Sequence, residues 1–123
     1  MNRHLLIAVG ALLAASPAFA QDNVVNVYNW SDYIAEDTIA NFEAETGIKV
    51  NYDVYDNNEI VDAKLLAGSS GYDIIVPSGS FLERQIQAGL ILPLDKSKLP
   101  NLGNIDPAVM GAVAALDPGA RFL

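Results

Sequence analysis

Residues 24–30, VVNVYNW, are apolar except for Asn26 and Asn29. Near-continuous apolar content of this kind predicts a strand covered on both faces. Downstream, Ile34, Ile39 and Phe42 recur at helical spacing, with Glu36, Asp37, Glu43 and Glu45 between them. The pattern predicts a helix with an acidic first turn, favoured by the macrodipole, and stopped by Gly47. Over 48–55, Ile48, Val50, Tyr52 and Val54 alternate with Lys49, Asn51 and Asp53, as in a half-covered strand. Asn57 or Asn58 can cap a helix over 59–67, in which Val61 and Leu65 share a face and Gly68 is the stop. A Gly-Ser-Ser-Gly turn at 68–71 leads to a short third strand over 73–76, which Pro77 prevents from continuing.

Ser78-Gly79-Ser80 then opens a predicted helix over 81–88, with Leu82 and Ile86 inward and Gly89 as its end. Residues 90–94 read as a short extended piece and 96–104 as loop. Asp106 and Pro107 form a cap followed by proline at the first helical position, with Val109, Val113 and Leu116 as the buried stripe of a last helix. Strand, helix, strand, helix, strand, helix is the order of an α/β parallel sheet with right-handed crossovers and flanking helices. In such sheets ligands gather outside the carboxyl ends of the strands. Trp30-Ser31-Asp32 and Ser78-Gly79-Ser80 both fall at such ends, so they are expected to converge on one edge.

Residues 1–20 stand apart from this pattern. Arg3 and His4 give a basic start, 5–15 is an apolar run, and Ala18-Phe19-Ala20 is an A-x-A cleavage signal before Gln21. This is the pattern of a secretory signal peptide cut after Ala20. The run is shorter than the roughly 20 residues of a membrane span, so no membrane insertion is expected of the mature chain. Residues 21–123 are expected to form the exported part.

The whole chain holds 7 basic and 15 acidic residues, and loss of Arg3 with the signal takes the net charge from −8 to −9. That balance disfavours nucleic acid and attracts cations. There is no Cys, and the single His lies in the signal. A disulfide-free exported chain points to the periplasm. Without Cys or a mature His, Cys/His zinc centres and Ser-His-Asp or Cys-His nucleophiles are excluded. Acid clusters at Glu43/Glu45, Asp53/Asp56 and Glu59/Asp62 lack the EF-hand order and read as solvated surface, so no metal and no catalytic residue is assigned. Hydrolysis by paired carboxylates fails because no two acids share a strand-end edge.

The candidate chemistry lies at the two turns. A Trp face attracts a cation and a neighbouring carboxylate accepts from an ammonium, so Trp30 and Asp32 describe half of an alkylammonium site. The same residues could instead finish the core and cap the next turn. Ser78 and Ser80 can cap the following helix or hold a ligand, with capping the reading for Ser80. A helix start favours an anion whereas Asp32 favours a cation. The acidic surplus, and the ability of a hydroxyl to accept, resolve the conflict toward the cation. The aromatic stretch 52–55 reads as strand core.

Four runs, YNWSDYI, NFEAETGIKVNYDVYDNNEI, KLLAGSSGYDIIVPSGSFLERQ and PLDKSKLPN, resemble the amino-terminal lobe of the periplasmic polyamine-binding proteins of ABC importers, the putrescine-binding component above all. The resemblance implies a type II periplasmic-binding-protein-like fold: a two-lobed, hinge-closing α/β receptor, without enzymatic activity or cofactor. Such a receptor clamps putrescine or spermidine and delivers it to an ABC permease of the inner membrane. It implies cleft roles for Trp30 and Asp32, with Ser31 alongside, for Ser78, and by position for Ser80. Since members of the family run to two lobes, residues 21–123 are expected to be a truncated, partial amino-terminal lobe. The alternative is an orphan lobe that binds no ligand and serves as an interaction module.

Overall fold

The computed structural model describes residues 23–117, 119, 121 and 122. The expected signal peptide and its cleavage after Ala20 lie outside the described residues. Among the described residues three strands and four α-helices follow in the order β1 (Val24–Trp30), α1 (Thr38–Thr46), β2 (Lys49–Tyr55), α2 (Asn58–Leu66), β3 (Ile74–Ile75), α3 (Gly79–Gln87) and α4 (Pro107–Val113). All pairings are parallel, in the order β2-β1-β3. The central place of β1 is why apolar residues occur on both of its faces. Its register runs from Val24↔Lys49 to Trp30↔Tyr55 on one side, with Val27↔Ile74 and Tyr28↔Ile75 on the other. β3 is a two-residue ladder, yet Asp73 N–H donates to the Asn26 carbonyl at 2.9 Å and Val76 N–H to the Tyr28 carbonyl at 3.2 Å. The whole predicted run 73–76 therefore tracks β1.

Helix ends follow local chemistry. Gly47 adopts φ 70°, a left-handed geometry free of Cβ strain, and its N–H donates to the Glu43 carbonyl at 2.9 Å. Asn57 caps α2 by accepting from Ile60 N–H at 3.0 Å, and Asp106 caps α4 by accepting from Ala108 N–H at 2.7 Å. Glu36 and Asp37 precede α1, so its first turn holds no acid. Asp37 stands at the cap position but its carboxylate accepts from Asn41 Nδ2 instead.

The core lies on one face of the sheet. Tyr28, Tyr55 and Val61 are buried there, and Trp30, Leu65, Tyr72 and Ile75 pack against them. Tyr28 stacks on Tyr72 at 4.5 Å and meets Tyr55 edge-on at 4.8 Å. This differs from the half-covered face read for β2. Val54 shares a face with Val50 and Tyr52 and is exposed, whereas Tyr55 on the opposite face is buried. Right-handed crossovers to either side of β1 put α1 and α2 on opposite faces, and Val61 and Leu65 of α2 build the core on the Tyr55 side.

Other expectations are corrected. Residues 90–94 form no strand: Pro93 has no N–H for a ladder, and Leu94 N–H donates to the Arg121 carbonyl at 2.7 Å. The segment 96–104 contains single 3-10 turns at Lys96–Lys98 and Leu102–Asn104. Val109 is exposed rather than part of a buried stripe, and Leu116 lies beyond the end of α4. In α3, Gln85 is buried beside the expected Leu82, its Nε2 donating to Asp62 Oδ1 at 2.8 Å. The helix also begins earlier than 81. A Cβ on Gly79 would stand 2.4 Å from Leu116 Cδ1, so the close approach there suits glycine.

The acidic pairs are not all idle surface. Glu43 accepts from Val50 N–H and Lys49 Nζ, in that order of effect holding its carboxyl below the ordinary value. Asp62 pairs with Arg84, and Asp53 accepts from the Tyr72 hydroxyl at 2.6 Å.

Candidate functional site

Strand ends set the rim. Trp30 closes β1 opposite Tyr55, which closes β2, and Ser31 N–H extends the ladder to the Tyr55 carbonyl at 3.3 Å. The Tyr55 hydroxyl donates to the carbonyl of Val76, just past β3. All three strand ends are thereby tied together, and the expectation that the two turns share one edge is met.

Trp30 is half-buried. Its ring lies 4.6 Å from Tyr55 on the core side and 5.9 Å from Tyr33, whose side chain is 68% exposed. The indole therefore both finishes the core and carries an aromatic surface out to solvent. Asp32 follows in a left-handed conformation, φ 59°, which aspartate tolerates better than most residues. It is exposed, and its carboxylate has no hydrogen-bond or ion-pair partner among the described residues. It does not cap the next turn, since the position before α1 belongs to Asp37. Ser31 Oγ donates to Asp56 Oδ1 at 2.8 Å.

Ser78 occupies the cap position of α3, although its side chain makes no capping bond. Its N–H donates to Asn58 Oδ1 at 2.9 Å and its Oγ accepts from Asn58 Nδ2 at 3.0 Å. Ser80 is the second residue of α3, exposed, so the capping read for it belongs by position to Ser78. No described contact joins Ser80 to the strand-end group.

Tyr33, Tyr55, Asp56 and Asn58 complete the rim and were not assigned to the site from sequence, which read Tyr55 as core, Asp56 as solvated surface and Asn58 as a possible helix cap. Asp56-Asn57-Asn58 does follow the carboxyl end of the second parallel strand, so the strand-end rule applied to β2 as well as to β1 and β3 would have found that loop. A groove of about 460 Å³ lies elsewhere, walled by Leu65, Tyr72, Ile75, Leu82, Leu92 and Phe122 among others. Its lining is mainly apolar, whereas the unpartnered carboxylate and the exposed ring face are at the rim; the candidate site is therefore placed at the rim. Among the described residues no group of three or more His, Cys, Asp or Glu could hold a metal, and no helix is long and apolar enough to cross a membrane.

Burial, more than the neighbouring tyrosines, pushes the Tyr55 phenol up to about 12, and the hydrogen bond to Asp53 pushes Tyr72 to about 12. A disordered chain releases these protons near the ordinary 10.0. The folded state holds them more tightly, so their stabilisation is complete below that value and is lost as pH rises through it towards about 12. Spectrophotometric titration is expected to show part of the tyrosine absorbance change delayed to about pH 12, with Tyr55→Phe and Tyr72→Phe each removing a share of the late phase. Ionisation finished at the ordinary phenol value would contradict both assignments.

Comparisons with known proteins place the chain as a whole among relatives. The profile of the bacterial extracellular solute-binding proteins matches residues 37–119. The putrescine-binding periplasmic protein PotF of Escherichia coli K12 is 56% identical over 118 residues, spanning 94% of this chain and 32% of that protein. SpuD of Pseudomonas aeruginosa UCBPP-PA14, also named as putrescine-binding and periplasmic, is 54% identical, spanning 94% of this chain and 31% of its own. The spermidine/putrescine ABC transporter substrate-binding protein PotD of Streptococcus pneumoniae matches in structure with a TM-score of 0.74 at 36% identity, over 80% of this chain and 30% of that one. These relatives are named as binding proteins, not enzymes, and this chain spans about a third of their length.

Proposed function

The chain belongs to the bacterial extracellular solute-binding protein family, and we propose that it is the polyamine-contacting part of a periplasmic receptor that hands putrescine, or spermidine, to an ABC permease of the inner membrane. Residues 1–20 then serve as the export signal and 21–123 as part of the amino-terminal lobe. One observation carries the ligand class: an exposed, unpartnered carboxylate at Asp32, two residues from an indole whose outer side meets exposed Tyr33. An α,ω-diamine is cationic at its ends and apolar between them. Asp32 accepts from one ammonium, Ser31 lies beside it, and the Trp30 ring packs along the methylenes, while cation–π attraction of its face for the ammonium adds about 0.5–2 kcal/mol. Ser78 lines the same rim, and Ser80 joins by family likeness alone. Closure follows if the ligand binds the closed arrangement more tightly than the open one.

Titration calorimetry tests this with putrescine and with succinate, a dianion of similar length. The diamine is expected to bind and the dianion not, with tighter binding once the chain is joined to the remaining part of the Escherichia coli relative. Binding of succinate but not putrescine by the joined protein would sink the cation reading. Exposed apolar side chains at Leu66, Ile74 and Leu92 favour one other reading, an interaction module without a small ligand. That reading expects no heat from any diamine, with or without the added part.

A further inference from the structure

Both rim serines are gripped by one loop. Asp56 takes the Ser31 hydroxyl at 2.8 Å, and Asn58 holds Ser78 twice, at its N–H (2.9 Å) and at its Oγ (3.0 Å). The loop is anchored on either side, since Tyr55 is buried and bonded to the Val76 carbonyl, and Asn57 caps α2. The polarity of each bond follows from the groups. A backbone N–H can only donate, so the oxygen of Asn58 faces Ser78 N and its amide nitrogen faces Ser78 Oγ. An ionised carboxylate can only accept, so the Ser31 proton is committed to Asp56.

The geometry points to Asp56 as a positioning and specificity-determining residue of the rim. By taking the hydroxyl proton it fixes the Ser31 rotamer and leaves Ser31 Oγ with lone pairs alone to offer. An oxygen in that state accepts from an ammonium and has nothing to donate to an anion. The Asp56 charge, one bond behind, adds to the same preference. Asn58 acts differently: it positions Ser78 but leaves that hydroxyl its own proton, so Ser78 can donate or accept. The ligand class rests on the polyamine reading; the rotamer claim does not.

Two measurements on the whole chain separate these claims. In the ligand-free protein, three-bond Hα–Hβ couplings of Ser31 are expected to report one rotamer, and Asp56→Ala is expected to average them. With putrescine as the probe, Asp56→Ala and Ser31→Ala each weaken binding about tenfold, and the double variant loses no more than either single one. Asp56→Asn keeps the side-chain shape but no longer dictates the Ser31 proton, so its preference for putrescine over succinate narrows while its amide spectrum stays folded. Averaged Ser31 couplings in the unsubstituted chain, or additive losses, would overturn the inference. Absence of putrescine binding by the unsubstituted chain would count against the polyamine reading, and the couplings would still decide the role of Asp56.

Discussion

Replacing Asp32 by Asn is expected to weaken putrescine binding by roughly 10- to 100-fold, the worth of a charge-assisted hydrogen bond, while leaving the unfolding midpoint unchanged. Both halves follow from its surroundings. The carboxylate is exposed and unpartnered among the described residues, so neutralising it orphans no donor and breaks no ion pair. The backbone there is left-handed, φ 59°, and asparagine tolerates that conformation as well as aspartate does. Asp32→Gly is the companion variant. It removes the charge as well but relieves the left-handed strain, so affinity falls while stability holds or rises. Calorimetry with putrescine and denaturant unfolding of both variants check the split. Undiminished affinity in both would remove Asp32 from the site.

Tyr28→Ala is expected to be the most damaging single change to the fold, costing about 3–5 kcal/mol. Tyr28 sits on the central strand, 5% exposed, between the rings of Tyr55 and Tyr72, with Lys64 Nζ 5.1 Å from its ring centroid. Truncation would leave two other tyrosines facing a void on the face where the buried side chains of the described residues cluster. Small domains have about 5–15 kcal/mol in total, so much of the chain would be unfolded. Val54→Ala, on the neighbouring strand but 51% exposed, should cost within about 0.5 kcal/mol. The contrast tests which face of the sheet is the core. Equal urea midpoints for the two variants would show that the tyrosine face does not hold the fold.

Much of this was legible along the chain because it is local. The span of β1 follows from a run of apolar residues, the end of α1 from the freedom of Gly47, and the start of α4 from Asp106 before Pro107. Each depends on residues within a turn or two of one another. Trp30 and Asp32 could be found for the same reason, standing at the end of a strand that announces itself. The side of β2 that faces the core could not. Alternation shows that Val54 and Tyr55 point opposite ways, but which way is inward depends on the helix that packs there, and α2 favours Tyr55.

The sequence by itself determined an α/β chain with parallel strands, an acidic surface, and an indole and a carboxylate at one strand end. Tertiary structure alone decided how that end is furnished. Ser31 meets Asp56 across 25 residues, Ser78 meets Asn58 across 20, and the Tyr55 hydroxyl reaches Val76 across 21. Periodicity records which residues share a side of an element, whereas contacts between elements depend on how the crossovers set one strand end against the next. The polarity of the Ser31 hydroxyl is settled only once a second loop comes within reach.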